Sequence, residues 1–514
     1  MKCLIRNFMF LVLVLFLAAC NGESESTSNE GTKEEASGGD KSLTMLFSFA
    51  SDSLDPHQDA IGVRAGITET LLKIDENLEI QPWLAEDWKQ VDETTWEFDI
   101  RDGVTFHDGS KVDGKAVKAS FERVIKENDA MDAALKIDSI EADGQKVTFT
   151  TREPHPIFIS ELIHTHASVI KADEDQIAEK PIGTGPFTVA DFTPGSEINL
   201  ERYDDYWDGA AKLDEVTIRF NSDASVRALS LQSGEADIAY HLPPEGLDSI
   251  ESNSELKVES VPSIRTHFFL YNQQNEKLKD QKVRKALDML INRKVMVEEI
   301  MNNHATEAAG PFNPDFPFAG EEESVEYDPK QAEALLKEAG YERNEQGMME
   351  KDGEPLSLKI ATYVARPELP LMAQYFQAEA GKIGVDVEIM KIENIDSYLH
   401  EKQEAWDLVT YSNLTAPRGD GGYFLNVAYL PDGSLNPGQI NISRINELTE
   451  QLNGTADPEQ RTALQKEAVA IINEEVPHSF VMHPHIIVGV HDRVKNWTPG
   501  SEENYLITNE MDVE

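Results

Sequence analysis

"LAEDWKQVDETTWEFDIRDGVTFHDG", residues 84–109, alternates apolar and polar residues between short clusters of turn formers. Within it "TWEFDI" and "VTFHDG" read as strands paired around the turn "RDG", because period-two alternation suits a half-buried strand and Asp-Gly suits a tight turn. Asp113 then stands where it would cap a helix over "GKAVKASFERVI". Outward from this stretch, strand-like and amphipathic helical runs alternate from Ser42 onward, which predicts an α/β protein. "LTMLFSFA", "QKVTFTT", "EVTIRF", "THFFLYN", "LKIATY" and "VDVEIMKI" are the further strands. "KVRKALDMLINRKVMVEEIM", "DPKQAEALLKEAG" and "LPLMAQYFQAEAGKIG" are helices, the last two closing on Gly340 and Gly384. There is no internal repeat.

At 514 residues the chain is long enough for more than one core. Its 46 Lys+Arg against 94 Asp+Glu exclude nucleic acid as a partner, since phosphate binding needs a net of cations. The acidic residues are scattered through every segment, as on a solvated surface in a saline or alkaline medium. The start has Lys2 and Arg6 ahead of an apolar run, residues 8–19, that is short for a membrane span, so residues 1–19 read as a signal peptide. Its end, Leu17-Ala18-Ala19-Cys20, resembles the lipobox of bacterial lipoproteins, which implies a lipid on Cys20. Cys3 would leave with the signal, and Cys20 has no disulfide partner. Residues 20–41 then read as the lipidated cysteine and a disordered tether. The expected location is extracytoplasmic, anchored to the cell membrane.

Several ordered motifs make the chain similar to the family 5 solute-binding proteins, the receptors of peptide and nickel ABC importers. They are residues 84–109, "GTGPF" at 183–187, "YDDYWDG" at 203–209, "SGEADIA" at 233–239 and "VRKALDMLINR" at 283–293. The resemblance implies a two-lobed periplasmic-binding-protein-like fold (type II, cluster C) with a ligand cleft between the lobes. Lobe I would be residues 42–267, with a subdomain near 84–180, and lobe II residues 268–478. Residues 479–514 would return to lobe I. The crossings are expected near 266–272 and 477–483. It also implies a monomer without catalytic activity or permanent cofactor, which delivers a small-molecule or metal-chelate ligand to a permease and its ATPase. Consistent with that, "HEKQE" at 400–404 lacks the second histidine of a zincin helix, and neither a phosphate-binding loop nor a nucleophile elbow occurs.

Two ligands compete. Peptide-binding relatives hold the ligand's amino group with an aspartate in a lobe II loop, here "SNLTAPRGDGGYFL" at 412–425, where that position falls at Pro417. Arg418 beside it pairs with carboxylates instead. Asp420 is the alternative amino anchor, and Tyr411 and Tyr423 flank the loop as ligand walls or core. Nickel-type relatives take the metal with a small chelator such as histidine. "FVMHPHIIVGV", residues 480–490, reads as a strand beside a crossing with His483 and His485 on one face, so either imidazole can meet a metal. His485 is the first candidate and His483 the second. His57 in "LDPH" and His166, with His164 in "HTH", rank behind them. His107 belongs to the family signature and is read as structural, and Trp83, Trp88, Trp96 and Trp207 as core. The resulting expectation is capture of Ni(II) as a small organic chelate; the alternative is an oligopeptide or dipeptide receptor. Cys20→Ala is expected to release the protein from the membrane fraction, which cell fractionation checks; persistent anchoring would overturn the lipobox reading.

Overall fold

The computed structural model describes residues 41–75, 77–364 and 366–514. The expected signal peptide, lipidated Cys20 and tether up to residue 40 lie outside the described residues.

A mixed sheet runs through the molecule in the strand order Asp386–Lys391, Ser357–Thr362, Leu408–Leu414, Arg265–Tyr271, His478–His491, Ile238–Ala239, Ser42–Phe47, Glu215–Phe220, Glu197–Arg202 and Phe187–Thr193. The strand His478–His491, 14 residues long, joins its two halves. Near its start His478 and Met482 face Leu270 and His267, while from His485 to His491 it pairs with Leu256–Pro262. Ala305–Glu307 covers the change of partner, with Thr306 opposite His483. The molecule is therefore two α/β lobes hung on one shared strand. Residues 263–264 separate the strands Leu256–Pro262 and Arg265–Tyr271, beside the expected first crossing, and 265–271 is laddered to 408–414. Apolar, β-branched and aromatic residues dominate these central strands because they are covered on both faces.

Residues 84–151 form a separate four-stranded antiparallel sheet, ordered Ala85–Gln90, Thr95–Ile100, Lys146–Thr151, Ile137–Asp143. The expected pairing of "TWEFDI" with "VTFHDG" does not occur. Thr95–Ile100 is paired on both edges, and the turn at 91–95, closed by Val91 N–H to Thr95 O at 2.8 Å, selects the preceding strand. Thr105 makes only an isolated bridge to Lys111. Asp113 does cap Gly114–Glu127, its carboxylate accepting from the Lys115 and Ala116 amides at 3.0 Å. The helix expected over 282–301 is broken: Gln281–Asp288 stops, and Arg293 opens a new turn. The cause is a tertiary bond, the buried Arg293–Asp288 pair at 2.5 Å, with Arg293 also donating to the Phe480 carbonyl at 2.6 Å. The "GTGPF" glycines are required by close packing, since a Cβ on Gly183 or Gly185 would lie 2.1 or 2.2 Å from the carbonyl oxygens of Ile67 and Gly66. Trp96 is in the core, and Trp207 donates to the buried Glu69 carboxylate at 3.0 Å. No helix among the described residues is long and apolar enough to cross a membrane.

Several histidines are packing elements. His57, fully buried, is fixed by the Ser168 carbonyl at 3.1 Å and by Arg123 at 2.7 Å, and His107 by the Gly185 carbonyl at 3.0 Å. Burial lowers both, and His155 as well, from 6.5 to about 4. A depressed folded value means that the unfolded chain binds protons first as pH falls, so the stability from burying these neutral rings is complete above about 6.5 and lost through about 4. The melting temperature is expected to decline steadily between these pH values, with a loss that shrinks in a His57→Gln variant; a flat profile would contradict it.

Candidate functional site

Arg265, the first residue after 263–264, places a cation where the lobes meet. Its Nη1 donates to the carbonyl and hydroxyl oxygens of Ser412 at 3.3 Å, and no carboxylate of the described residues reaches ion-pair distance. Burial, assisted by Arg366, lowers its pKa to about 9, which leaves it charged at neutral pH. It lines a cavity of about 620 Å³ together with Ser48 and His241 of lobe I, Arg366 and Glu368 of lobe II, and His485 on the shared strand. Two of the three carboxylates in this cavity are engaged, while Glu393, exposed, has no hydrogen-bond or ion-pair partner among the described residues. Glu368 accepts from His267 at 2.8 Å and Glu503 is held by His241. Burial alone would raise both, but His267 and His241 respectively outweigh it and bring them down to about 2.

His483 and His485 do not share one space. His483 is fully enclosed, with Nδ1 on the Thr266 hydroxyl at 2.9 Å, and burial lowers it to about 4. His485 reaches the cavity, but its Nδ1 is 3.0 Å from the Ser260 hydroxyl and its Nε2 is 3.3 Å from that of Thr306. His304 shares the Ser260 hydroxyl at 2.8 Å. Strand periodicity put both imidazoles on one face, but neighbouring strands close over one and leave the other open. Among the described residues no group of three or more His, Cys, Asp or Glu side chains is placed to hold a metal ion. A metal bound here would have to bring most of its ligands with it.

The loop at 412–425 borders a second cavity, of about 390 Å³, shared with the subdomain. Arg418 lies over the Tyr423 ring at 5.3 Å and directs Nη1 at Glu161 of the subdomain, while its buried Nε–H has no acceptor. Asp420 is not a free amino anchor: Arg461 takes its two oxygens at 2.7 and 3.1 Å, and Gln465 and the Gly422 amide take the remaining positions. Tyr411 is turned into the wall, its hydroxyl on Asp396 and its ring edge-on to Phe268 and Tyr363 at 6.0 Å. Arg418 and His485 line different cavities that have no lining residue in common. Tyr423 lines the Arg418 cavity; burial raises its hydroxyl pKa, and Arg418 and Arg265 act against that rise.

His57 is closed off as described above. His164 and His166 are no surface pair: their rings lie 4.7 Å apart beside the Arg418 pocket, where burial and Arg418 lower His164 to about 3. His166 Nδ1 is 3.4 Å from the Asn128 amide. Two residues that sequence reasoning missed are Arg265 and Glu161. The first has a visible signal, a lone cation heading the apolar run "RTHFFLY". The second, in "FISELIHTH", has none.

Residues 79–436 match bacterial extracellular solute-binding proteins, family 5. The chain is 32% identical to the nickel-binding protein NikA of Staphylococcus aureus over 475 residues, 92% of this chain and 94% of that protein. Among solved structures, a nickel ABC transporter protein from Bacillus halodurans superposes with a TM-score of 0.82 at 46% identity, covering 92% of this chain and all of that one. The Staphylococcus aureus NikA structure in complex with Ni(L-His)2 gives a TM-score of 0.79 at 32% identity, covering 92% of this chain and 100% of that chain. The two-lobed architecture, the ordered motifs and this coverage lead to one conclusion: the chain belongs to family 5 of the bacterial extracellular solute-binding proteins.

Proposed function

We propose that the protein is the receptor of an ABC importer that captures Ni(II) as a small carboxylate chelate, such as nickel-histidine, and delivers it to a permease driven by a separate ATPase. It acts as a non-catalytic monomer held to the membrane by a lipid on Cys20. Its lobes are residues 42–267 with 479–514, and residues 268–478, adjusted to the crossings at 263–264 and along the shared strand. The observation that carries the reading is the charge left available in the cleft. Asp420 is saturated by Arg461 and Gln465, whereas Arg265 makes no ion pair and Arg418, although paired with Glu161, keeps an unmet Nε–H. Such a site offers donors to carboxylates, and the one unpaired carboxylate that lines it, Glu393, is solvent-exposed. The likeness to NikA supports the same reading.

In this reading Arg265 and Arg418 take carboxylates of the chelator, and the chelator supplies the nickel ligands. His485 is the one candidate protein ligand that reaches a cavity; binding nickel would cost it the bond to Thr306. Calorimetric titration with nickel plus excess L-histidine tests this. Arg265→Ala and Arg418→Ala are each expected to weaken binding by at least about tenfold, the scale of one charge-assisted hydrogen bond. His485→Ala should change it by less than about threefold, a few tenths of a kcal/mol more than experimental scatter. Tight binding of metal-free peptides without any uptake of nickel-histidine would overturn the proposal in favour of a peptide receptor.

A further inference from the structure

Arg418 and Glu161 stand 257 residues apart in sequence and meet across the boundary between lobe II and the subdomain. Their side chains are 18% and 4% exposed, and Nη1 faces both carboxylate oxygens. Burial raises the Glu161 pKa, and Arg418 pulls it the other way. The permanently charged guanidinium in direct contact holds it as a carboxylate. The remaining charged groups on that cavity are spent elsewhere: Asp420 on Arg461 at 2.7 Å and Lys136 on Glu153 at 2.5 Å. His155, on the Ala134 carbonyl at 2.8 Å, is kept neutral by burial. A ligand carboxylate arriving at the exposed edge of the Arg418 guanidinium therefore meets one cation and one anion side by side.

We propose that Glu161 is a specificity-determining residue, which makes the site select metal chelates of overall charge near zero and reject polyanionic ones. The inference rests on the nickel-chelate reading and deepens it. Two histidinate anions cancel a divalent nickel ion, so the bis-histidine complex is neutral, whereas EDTA overcompensates the metal and leaves a dianion. A neutral complex can give one carboxylate to Arg418 while its metal-bearing side carries the balancing positive charge. A dianion has nothing to set against the Glu161 carboxylate, and in a poorly hydrated pocket that repulsion is only weakly screened.

The test is calorimetric titration of the whole mature protein with nickel complexes of graded charge: with histidine, with citrate and with EDTA. Affinity is expected to fall in that order, and a flat or inverted order would overturn the filter without recourse to any variant. Glu161→Gln should narrow the gap between the histidine and EDTA complexes by at least about tenfold, as expected when a like charge within a few ångströms is removed. Glu161→Asp, which keeps the charge, should preserve the parent's order. An unchanged gap in the Gln variant, or equal narrowing in both variants, would assign Glu161 a packing role and overturn the proposal. Failure of the parent to bind any of the nickel complexes would remove the nickel reading and the filter with it. Binding of nickel-histidine with no dependence on chelate charge would remove the filter alone.

Discussion

A strand that hydrogen-bonds to both halves of a protein fixes the geometry of everything at their junction, and the strand His478–His491 does so here. Its start is laddered to Arg265–Tyr271 and its end to Leu256–Pro262, so the two neighbours that flank residues 263–264 are tied to the same backbone. Only Ser263 and Ile264 lie between those neighbours, and Ser263 is itself bonded to the Pro484 carbonyl, by its hydroxyl at 2.6 Å and its amide at 3.2 Å. Relative motion of the lobes must then be absorbed by few dihedral angles close to Arg265 and His485. On the proposed binding at Arg265, the residues a ligand touches are the ones that such motion would displace, which would couple binding to closure without a separate relay.

The second constraint is electrostatic. A chain with formal charge −48 has cations to place sparingly, and several of its arginines are in the interior. Arg227, Arg284 and Arg293 spend their donors largely on backbone carbonyls, and Arg461 divides its own between Asp420 and carbonyls. A buried guanidinium so saturated is a structural staple, because removing it leaves several carbonyls without donors. Arg265 and Arg418 break that pattern: one has only long bonds to Ser412, the other an orphan Nε–H. Both stand at the junction of the halves. Incomplete satisfaction of a buried cation is costly, and it persists where an incoming anion can complete it.

What was legible in the sequence was whatever local chemistry decides. Asp113 caps its helix because the carboxylate and the amides it serves are two and three residues apart. The alternation in "EVTIRF" and "THFFLYN" became strands because the period matched a two-sided environment. The failures share one cause, a partner distant in sequence. Gly-containing "RDG" is a good turn, but the competing turn at 91–95 closes the hairpin that the second edge of Thr95–Ile100 leaves room for. The break inside 282–301 depends on the Phe480 carbonyl, 187 residues from Arg293. Asp420 looked available because Arg461 and Gln465, 41 and 45 residues onward, cannot be assigned to it by inspection. His483 and His485 share a strand face as periodicity requires, yet Thr266, Ser260 and Thr306 decide what each ring meets.

These distant partners also decide what kind of recognition the junction can perform. His483 and His164 are held neutral by burial, so these two add no charge there at neutral pH. Glu368 and Glu503 are bound to imidazoles, and Asp420 to a guanidinium. On the proposed reading, discrimination among ligands falls to the guanidinium edges of Arg265, which makes no ion pair, and of Arg418, which shares its charge with Glu161. A guanidinium edge is planar, rigid and indifferent to pH, and it reads carboxylate geometry far better than it reads a metal ion. The recognition proposed at this junction is therefore directed at the organic shell of a ligand, with a metal selected through the shape and charge that it imposes on that shell.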